Sequence, residues 1–185
     1  MEKGIICFET GQFNRRTENE FYALPLLEFL KSARGINFIY RSIATLQDLR
    51  FYFEQIGKSS YKNKYGIVYF SFHGSPETIY LPGSGNIPLS TIMEEAAATQ
   101  AFKDCHIHFS ACETLNCEDT VIRDLKRNTG AKSVSGYSEE VDSVLAYINE
   151  LAYFDQLFRF SSKATIKKHM EDYQTQLEKL GFCIY

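Results

Sequence analysis

Apolar positions follow two rhythms along this chain: short unbroken runs, and longer stretches in which they recur every third or fourth residue. GIICFE (4–9) is the first unbroken run and suits a strand covered on both faces. After the polar loop TGQFNRR, Thr17 and Glu20 form a capping box that opens a helix through Leu24, Leu27 and Leu30, stopping at Gly35. Pro25 either sits in or near the first turn of that helix or kinks it. INFIYRSI (36–43) predicts a second strand and LQDLRFYFEQIG (46–57) a second helix. KNKYGIVYFSFHG supplies the third and most aromatic strand, and TIYLPGSGNIPL, with its glycine-containing turn, predicts a β-hairpin excursion. Ser90 then caps an alanine-rich helix.

DCHIHFSAC (104–112) predicts the fourth strand, EDTVIRDLKRN (118–128) a helix ending at Gly130, and AKSVSGY (131–137) the fifth strand. Helical patterns follow near 142–159 and 163–180, and GFCIY adds a short terminal strand. Strand–helix alternation of this kind implies one α/β domain over 1–185, with a mostly parallel twisted sheet of about six strands and helices on both faces.

Composition narrows the classes of function. The 185 residues are 44% hydrophobic and 15% aromatic, enough for one well-buried core. A net charge of −3, with lysine and arginine scattered, recommends neither a nucleic-acid nor a membrane-surface partner. The opening MEKGIICFETG turns polar too soon for a signal peptide, and no apolar run approaches membrane-spanning length. Five cysteines without a paired framework point to reduced thiols in a cytoplasmic protein.

The candidate chemistry sits at strand ends. In open α/β sheets, ligand sites gather where the carboxyl ends of strands converge on one crevice. The third strand ends in His73 and the fourth in Cys112, and consecutive strands are usually neighbours. A thiol is a strong nucleophile as thiolate, and a nearby imidazole takes its proton or stabilises the ion pair. Gly74 lets the backbone approach a substrate, so that its N–H and that of Cys112 are candidates to hold a developing oxyanion.

At these residues the chain resembles the clan CD cysteine peptidases, the group of caspases, metacaspases, separase, gingipains and CHAT domains. The blocks IVYFSFHG and CHIHFSAC are similar to the paired His-Gly and Ala-Cys strand ends of that group. Their separation of about 40 residues is near the caspase interval of about 50. The resemblance runs from Gly4 to roughly Phe158, and GYSEEVDSVLAYINELAYFDQLF looks most like CHAT-type members. The caspase motif Q-A-C-x-G is replaced here by S-A-C-E-T, so cleavage after aspartate does not carry over. The resemblance implies a caspase-like fold and a cysteine endopeptidase acting on protein or peptide substrates, without a cofactor. Latency until a regulatory protein partner binds would fit the habits of the group. The rival reading is a non-catalytic adaptor that keeps the fold as a binding module.

In clan CD enzymes the primary specificity pocket is built beside the cysteine strand, partly by residues after the next strand. Here that segment offers Asp142 and Glu140 as carboxylates for a lysine or arginine side chain. Asp142 is equally placed to cap the following helix. A competing pocket would use Arg15 or Arg16 to hold an acidic side chain. Other constellations are weaker. A phosphatase loop would need arginine where Glu118 stands, and there is neither a G-x-S-x-G elbow nor a glycine-rich phosphate loop. His106 and His108 alternate onto one face, with Cys105 and Cys117 near in sequence. Hydrogen-bonded strand histidines explain them better than a metal site. Cys7, Cys105 and Cys183 read as inert core thiols and Cys117 as a bystander. In the last helix, Ile166, Met170, Tyr173, Leu177 and Leu180 form an apolar stripe expected to pack on the sheet, with a partner surface as the alternative.

Overall fold

A computed structural model describes residues 4–10, 23–174 and 182–185. The elements run β1 (Gly4–Glu9), α1 (Ala23–Arg34), β2 (Phe38–Ser42), α2 (Leu46–Ile56), a single-turn α3 (Ser59–Lys62) and β3 (Tyr65–Ser71). Three short strands follow, β4 (His73–Ser75), β5 (Thr78–Leu81) and β6 (Gly85–Pro88). Then come α4 (Leu89–Thr99), β7 (His106–Ser110), α5 (Asp119–Thr129), β8 (Ser133–Tyr137), α6 (Ser143–Arg159), α7 (Lys163–Gln174) and β9 (Phe182–Ile184).

The main sheet has six strands in the order β2-β1-β3-β7-β8-β9. The first five are parallel, and β9 closes one edge antiparallel to β8. β1 and β3 are largely apolar because alternate side chains meet different helices. Ile6, Phe8, Val68, Phe70, Ile107 and Phe109 face one way, onto Leu49 and Phe53 of α2, Ile92 of α4 and Leu125 of α5. Ile5, Cys7, Ile67 and Tyr69 face the other way, onto Leu27 of α1, Phe154 and Leu157 of α6, and Ile166 and Met170 of α7. This is the mostly parallel α/β sheet with helices on both faces that the strand–helix alternation implies. Among the described residues no helix is long and apolar enough to cross a membrane.

Several local signals act as expected. Helix α1 ends at Gly35, whose φ of +69° suits glycine. Pro25 lies in its first turn. Gly130, at φ +70°, ends α5 in the same way. The terminal strand forms as β9, and Ile166 and Met170 pack inward. Other expectations need correction. Ser90 does not cap α4: the helix starts at Leu89, and Pro88 at the cap offers no side-chain acceptor. The excursion after β3 is a three-stranded antiparallel sheet rather than a simple hairpin, because His73–Ser75 pairs with β5. Tyr173 is 41% exposed, so the apolar stripe of α7 is not buried along its length. Thr17, Glu20, Leu177 and Leu180 lie outside the described residues.

Phe70 is the hub of one face, stacked on Phe109 at 5.0 Å and meeting Phe53 and Phe102 edge-on at 6.2 and 5.8 Å. Phe70→Ala is expected to cost about 3–5 kcal/mol, from lost burial and the cavity left behind. A urea unfolding curve measures it.

Candidate active site

The site is built by two central strands and by what happens when they stop pairing. β3 and β7 run in register up to Ser71 opposite Ser110, and Phe72 N–H donates to Ser110 O at 3.1 Å. Beyond that rung the chains part. The β3 chain turns into β4, so His73 is the first residue of the small sheet rather than the last of the third strand, and it is exposed. The β7 chain continues through Ala111 to Cys112, which is half-buried. Both side chains line one cavity of about 130 Å³ at the carboxyl ends of the strands.

The turn carrying Cys112 is fixed by backbone bonds. Glu113 takes φ +55° and donates its N–H to Glu139 O at 3.2 Å, while Leu115 N–H donates to Tyr137 O at 2.9 Å. Cys112 Sγ lies 3.9 Å from Val141 O. The Thr114 hydroxyl donates to Thr78 O at 3.1 Å, clasping this turn to the sheet that carries His73. Thr114 is fully buried, and nothing in its sequence position marked it for that role.

Gly74 is needed for this contact. A Cβ there would stand 2.2 Å from Thr114 Oγ1, 2.8 Å from Cys112 O and 2.9 Å from Ala111 Cβ. These distances are well inside van der Waals contact, so the sulfur-bearing turn and the histidine-bearing strand touch through bare backbone.

The specificity residues expected from sequence stand elsewhere. Asp142 is the N-cap of α6, its Oδ1 accepting from the N–H groups of Val144 and Leu145 at 2.9 and 3.0 Å. Asp142 and Glu140 are exposed, and neither lines the cavity. Arg15 and Arg16 lie outside the described residues. The carboxylates that do line it are Glu9, at the end of β1, and Glu150 of α6. They are 1% and 2% exposed. Glu9 accepts from Ala23 N–H, the Ser71 hydroxyl and the Tyr40 hydroxyl at 2.9, 3.0 and 2.7 Å. Glu150 accepts from the Tyr69 hydroxyl at 2.5 Å and the Tyr137 hydroxyl at 3.4 Å, with His108 Nε2 also at 3.4 Å. Period counting reads Glu9 as the last residue of a strand and Glu150 as one polar residue in a helix. Only the packing of α6 under the strand tips reveals them.

The Glu150 carboxyl also bears on the phenols around it. Burial pushes the Tyr69 and Tyr137 phenols well up, and Glu150 adds to both shifts. The Cys7 thiol is likewise pushed up by burial, then by Glu9 and Glu150.

The remaining candidates are structural. His106 and His108 pair with Ser133 and Ser135 of β8, Nδ1 to hydroxyl at 2.7 and 3.0 Å, so both are hydrogen-bonded strand histidines. Cys7 and Cys105 are buried, whereas Cys183 is half-buried beside the Ser138 hydroxyl. Cys117 is pushed up to about 11 by burial and by Glu77 and Asp119.

These features define a class: an α/β protein that presents a thiol and an imidazole at the mouth of a small cavity with an acidic floor. Residues 2–185 match the model of a family of unknown function (DUF6642), and the chain belongs to that family. A comparison with curated proteins finds no match.

Two predictions follow from the geometry. Gly74→Ala forces the turn and β4 apart and is expected to cost about 1–3 kcal/mol, read as a lower urea midpoint. Since only the thiolate alkylates, Cys117 is expected to react with iodoacetamide at pH 8 about a hundredfold more slowly than an ordinary cysteine. Its rate should climb with pH until near the raised value, as followed by peptide mapping.

Proposed function

We infer that the protein is a cysteine endopeptidase of the clan CD, caspase-like type. The observation that carries this reading is the β3–β7 register, because it brings His73 and Cys112, two residues beyond the Ser71–Ser110 pair, to the rim of one cavity. Exposure of the imidazole and partial exposure of the sulfur also favour it, since both must reach a substrate from solvent. In the proposed reaction the Cys112 sulfur, its proton passed to His73, attacks the scissile carbonyl carbon. The resulting oxyanion is held by the backbone N–H groups of Gly74 and Cys112. The C–N bond then breaks as His73 returns the proton to the leaving amine. Water, deprotonated by His73, next attacks the thioester, releasing the carboxylic acid and restoring the thiol. The close backbone contact at Gly74 supports this division of labour, because it seats one donor beside the nucleophile's own turn.

Peptidyl acyloxymethyl ketones alkylate an activated cysteine in such a site and serve as the test. Cys112→Ala is expected to abolish labelling, and His73→Ala to slow it by about 10²–10⁴-fold. Labelling that persists at another cysteine would overturn the assignment. Unlabelled, uncleaving protein that nonetheless recovers a binding partner would favour the adaptor, and repeating the assay with that partner added separates an adaptor from a latent enzyme.

A further inference from the structure

The small sheet carries more than His73. Side chains alternate between its two faces, and directly opposed residues share a face. Gly74, Ile79 and Ile87 are aligned across β4, β5 and β6, and so are His73, Tyr80 and Asn86. The first row faces inward: Ile79 and Ile87 are buried, and Gly74 meets the turn that carries Cys112. The second row faces outward, and all three of its members are exposed. Leu81 is buried on the inner side as well, and the Thr114 hydroxyl holds Thr78 O. The outer row is therefore a firmly anchored shelf that begins at the imidazole and crosses two further strands.

Tyr80 stands out on this shelf. It is 39% exposed, and of the large apolar side chains exposed among the described residues it alone sits on a strand. The others, Phe29, Phe51, Val144, Ile148 and Tyr173, belong to helices. A second observation does not depend on exposure. Among the described residues neither the Tyr80 hydroxyl nor the Asn86 carboxamide makes a hydrogen bond, and no ring contact reaches Tyr80. The next row of the same face differs, because the Ser75 and Thr78 hydroxyls bond to each other at 2.6 Å. Unpaired polar atoms and bare aromatic surface thus collect in the row of the imidazole.

The chemistry fixes what would pass over the shelf. In the proposed reaction Cys112 takes the carbonyl side of the scissile bond, and His73 returns a proton to the nitrogen that leaves. The chain that begins at that nitrogen must therefore lie on the His73 side. Directly opposed residues of an antiparallel pair have their Cβ atoms about 4.5–5.5 Å apart. An extended peptide advances about 3.3–3.6 Å per residue, so its first side chain after the bond comes within reach of the Tyr80 ring. The residues that follow come within reach of Asn86, one strand further on. No outward side chain of the small sheet in the rows of His73 and Ser75 is a carboxylate or an ammonium, so charge is not what this face selects. Tyr80 offers an aromatic face, which prefers another ring in an offset or edge-on arrangement. Tyrosine does so at low conformational cost, having only two χ angles to fix.

We propose that the outer face of the small sheet is the subsite for the leaving half of the substrate. Tyr80 takes the side chain of the residue just after the scissile bond and favours an aromatic one there. Asn86 donates to and accepts from the backbone of the residues beyond it. The proposal rests on the peptidase reading, since only a bond cleaved between Cys112 and His73 has a leaving half on this side. Its contacts are separate from the cavity, whose lining includes neither Tyr80 nor Asn86.

The test digests a peptide library prepared from a cell proteome and reads the residues on each side of every new cut by mass spectrometry. Cuts made by the unaltered protein and missing with Cys112→Ala define the sites. Phenylalanine, tyrosine and tryptophan are expected about three- to tenfold above their background frequency just after the bond, the size that an aromatic pair supports. Tyr80→Ala should bring that enrichment down to about one and Tyr80→Phe should keep it. Tyr173→Ala, which removes an exposed ring on α7, should leave it unchanged. Thermal melting checks that each variant is folded, and Tyr80→Thr, which suits a strand, replaces Tyr80→Ala if that one is not. Sites without an aromatic preference, or with one that survives loss of the Tyr80 ring, overturn the subsite while leaving the peptidase reading intact. Absence of any cut that depends on Cys112 sinks the peptidase reading instead, and the shelf is then judged by binding alone. In that case phenylalanyl-alanine amide, which mimics the leaving half, is titrated into the Cys112→Ala protein and followed by NMR. It should shift the resonances of Tyr80 and Asn86 and bind more weakly once Tyr80→Ala is added. No such shifts would overturn the subsite as well.

Discussion

The parallel pairing of β3 with β7 is the constraint on which the rest of the structure depends. Both strands are central, covered on each face, and locked by evenly spaced backbone bonds from Ile67–His106 to Ser71–Ser110. A slip of one residue would turn Phe70 and Phe109 away from α2, α4 and α5 and bury their neighbours in the wrong layer. Because the register cannot slip, the two chain segments leave the sheet at the same height. One then bends into the small antiparallel sheet and the other into the turn before α5. The cavity is the gap between them, so its position is a consequence of core packing and not of any loop acting alone.

A buried polar network lies beside that gap, a costly feature in an apolar core. Tyr69, Tyr137, His108, Asn149 and Glu150 interlock beneath the strand ends, with Asn149 Nδ2 donating to the Tyr137 hydroxyl at 3.2 Å. Networks of this kind specify a unique packing when their members find partners, and they are costly where one does not. Among the described residues two buried oxygens lack a hydrogen-bond partner, Asn149 Oδ1 within this network and Oγ1 of Thr10, a residue that lines the cavity. Departures from good packing are expected to concentrate at a functional site.

The architecture could be read from sequence wherever one physical period dominated. Short apolar and aromatic stretches marked the five parallel strands, and three-to-four spacing marked the helices, with terminal glycines at α1, α2 and α5. The pairing of His73 with Cys112 at neighbouring strand ends also followed, since neighbouring parallel strands leave little freedom in where their ends meet. The small sheet was only half visible. A three-residue strand such as β4 has no period to detect, and it is seated by Thr114 and Gly74 meeting the turn that carries Cys112.

What the chain alone determined is therefore the layering and the adjacency of the third and fourth long strands, whose ends carry an imidazole and a thiol, because local periodicity and burial on both faces leave few alternatives. Tertiary structure decided which acids reach the cavity. Asp142 could be read as a pocket residue or as a helix cap, and the structure makes it the cap, its carboxylate accepting from the N–H groups of Val144 and Leu145. Glu9 and Glu150, 141 positions apart in the chain, become neighbours of one cavity through the docking of α6 against the sheet. No local pattern encodes that meeting, since it depends on how helix and strands pack in three dimensions.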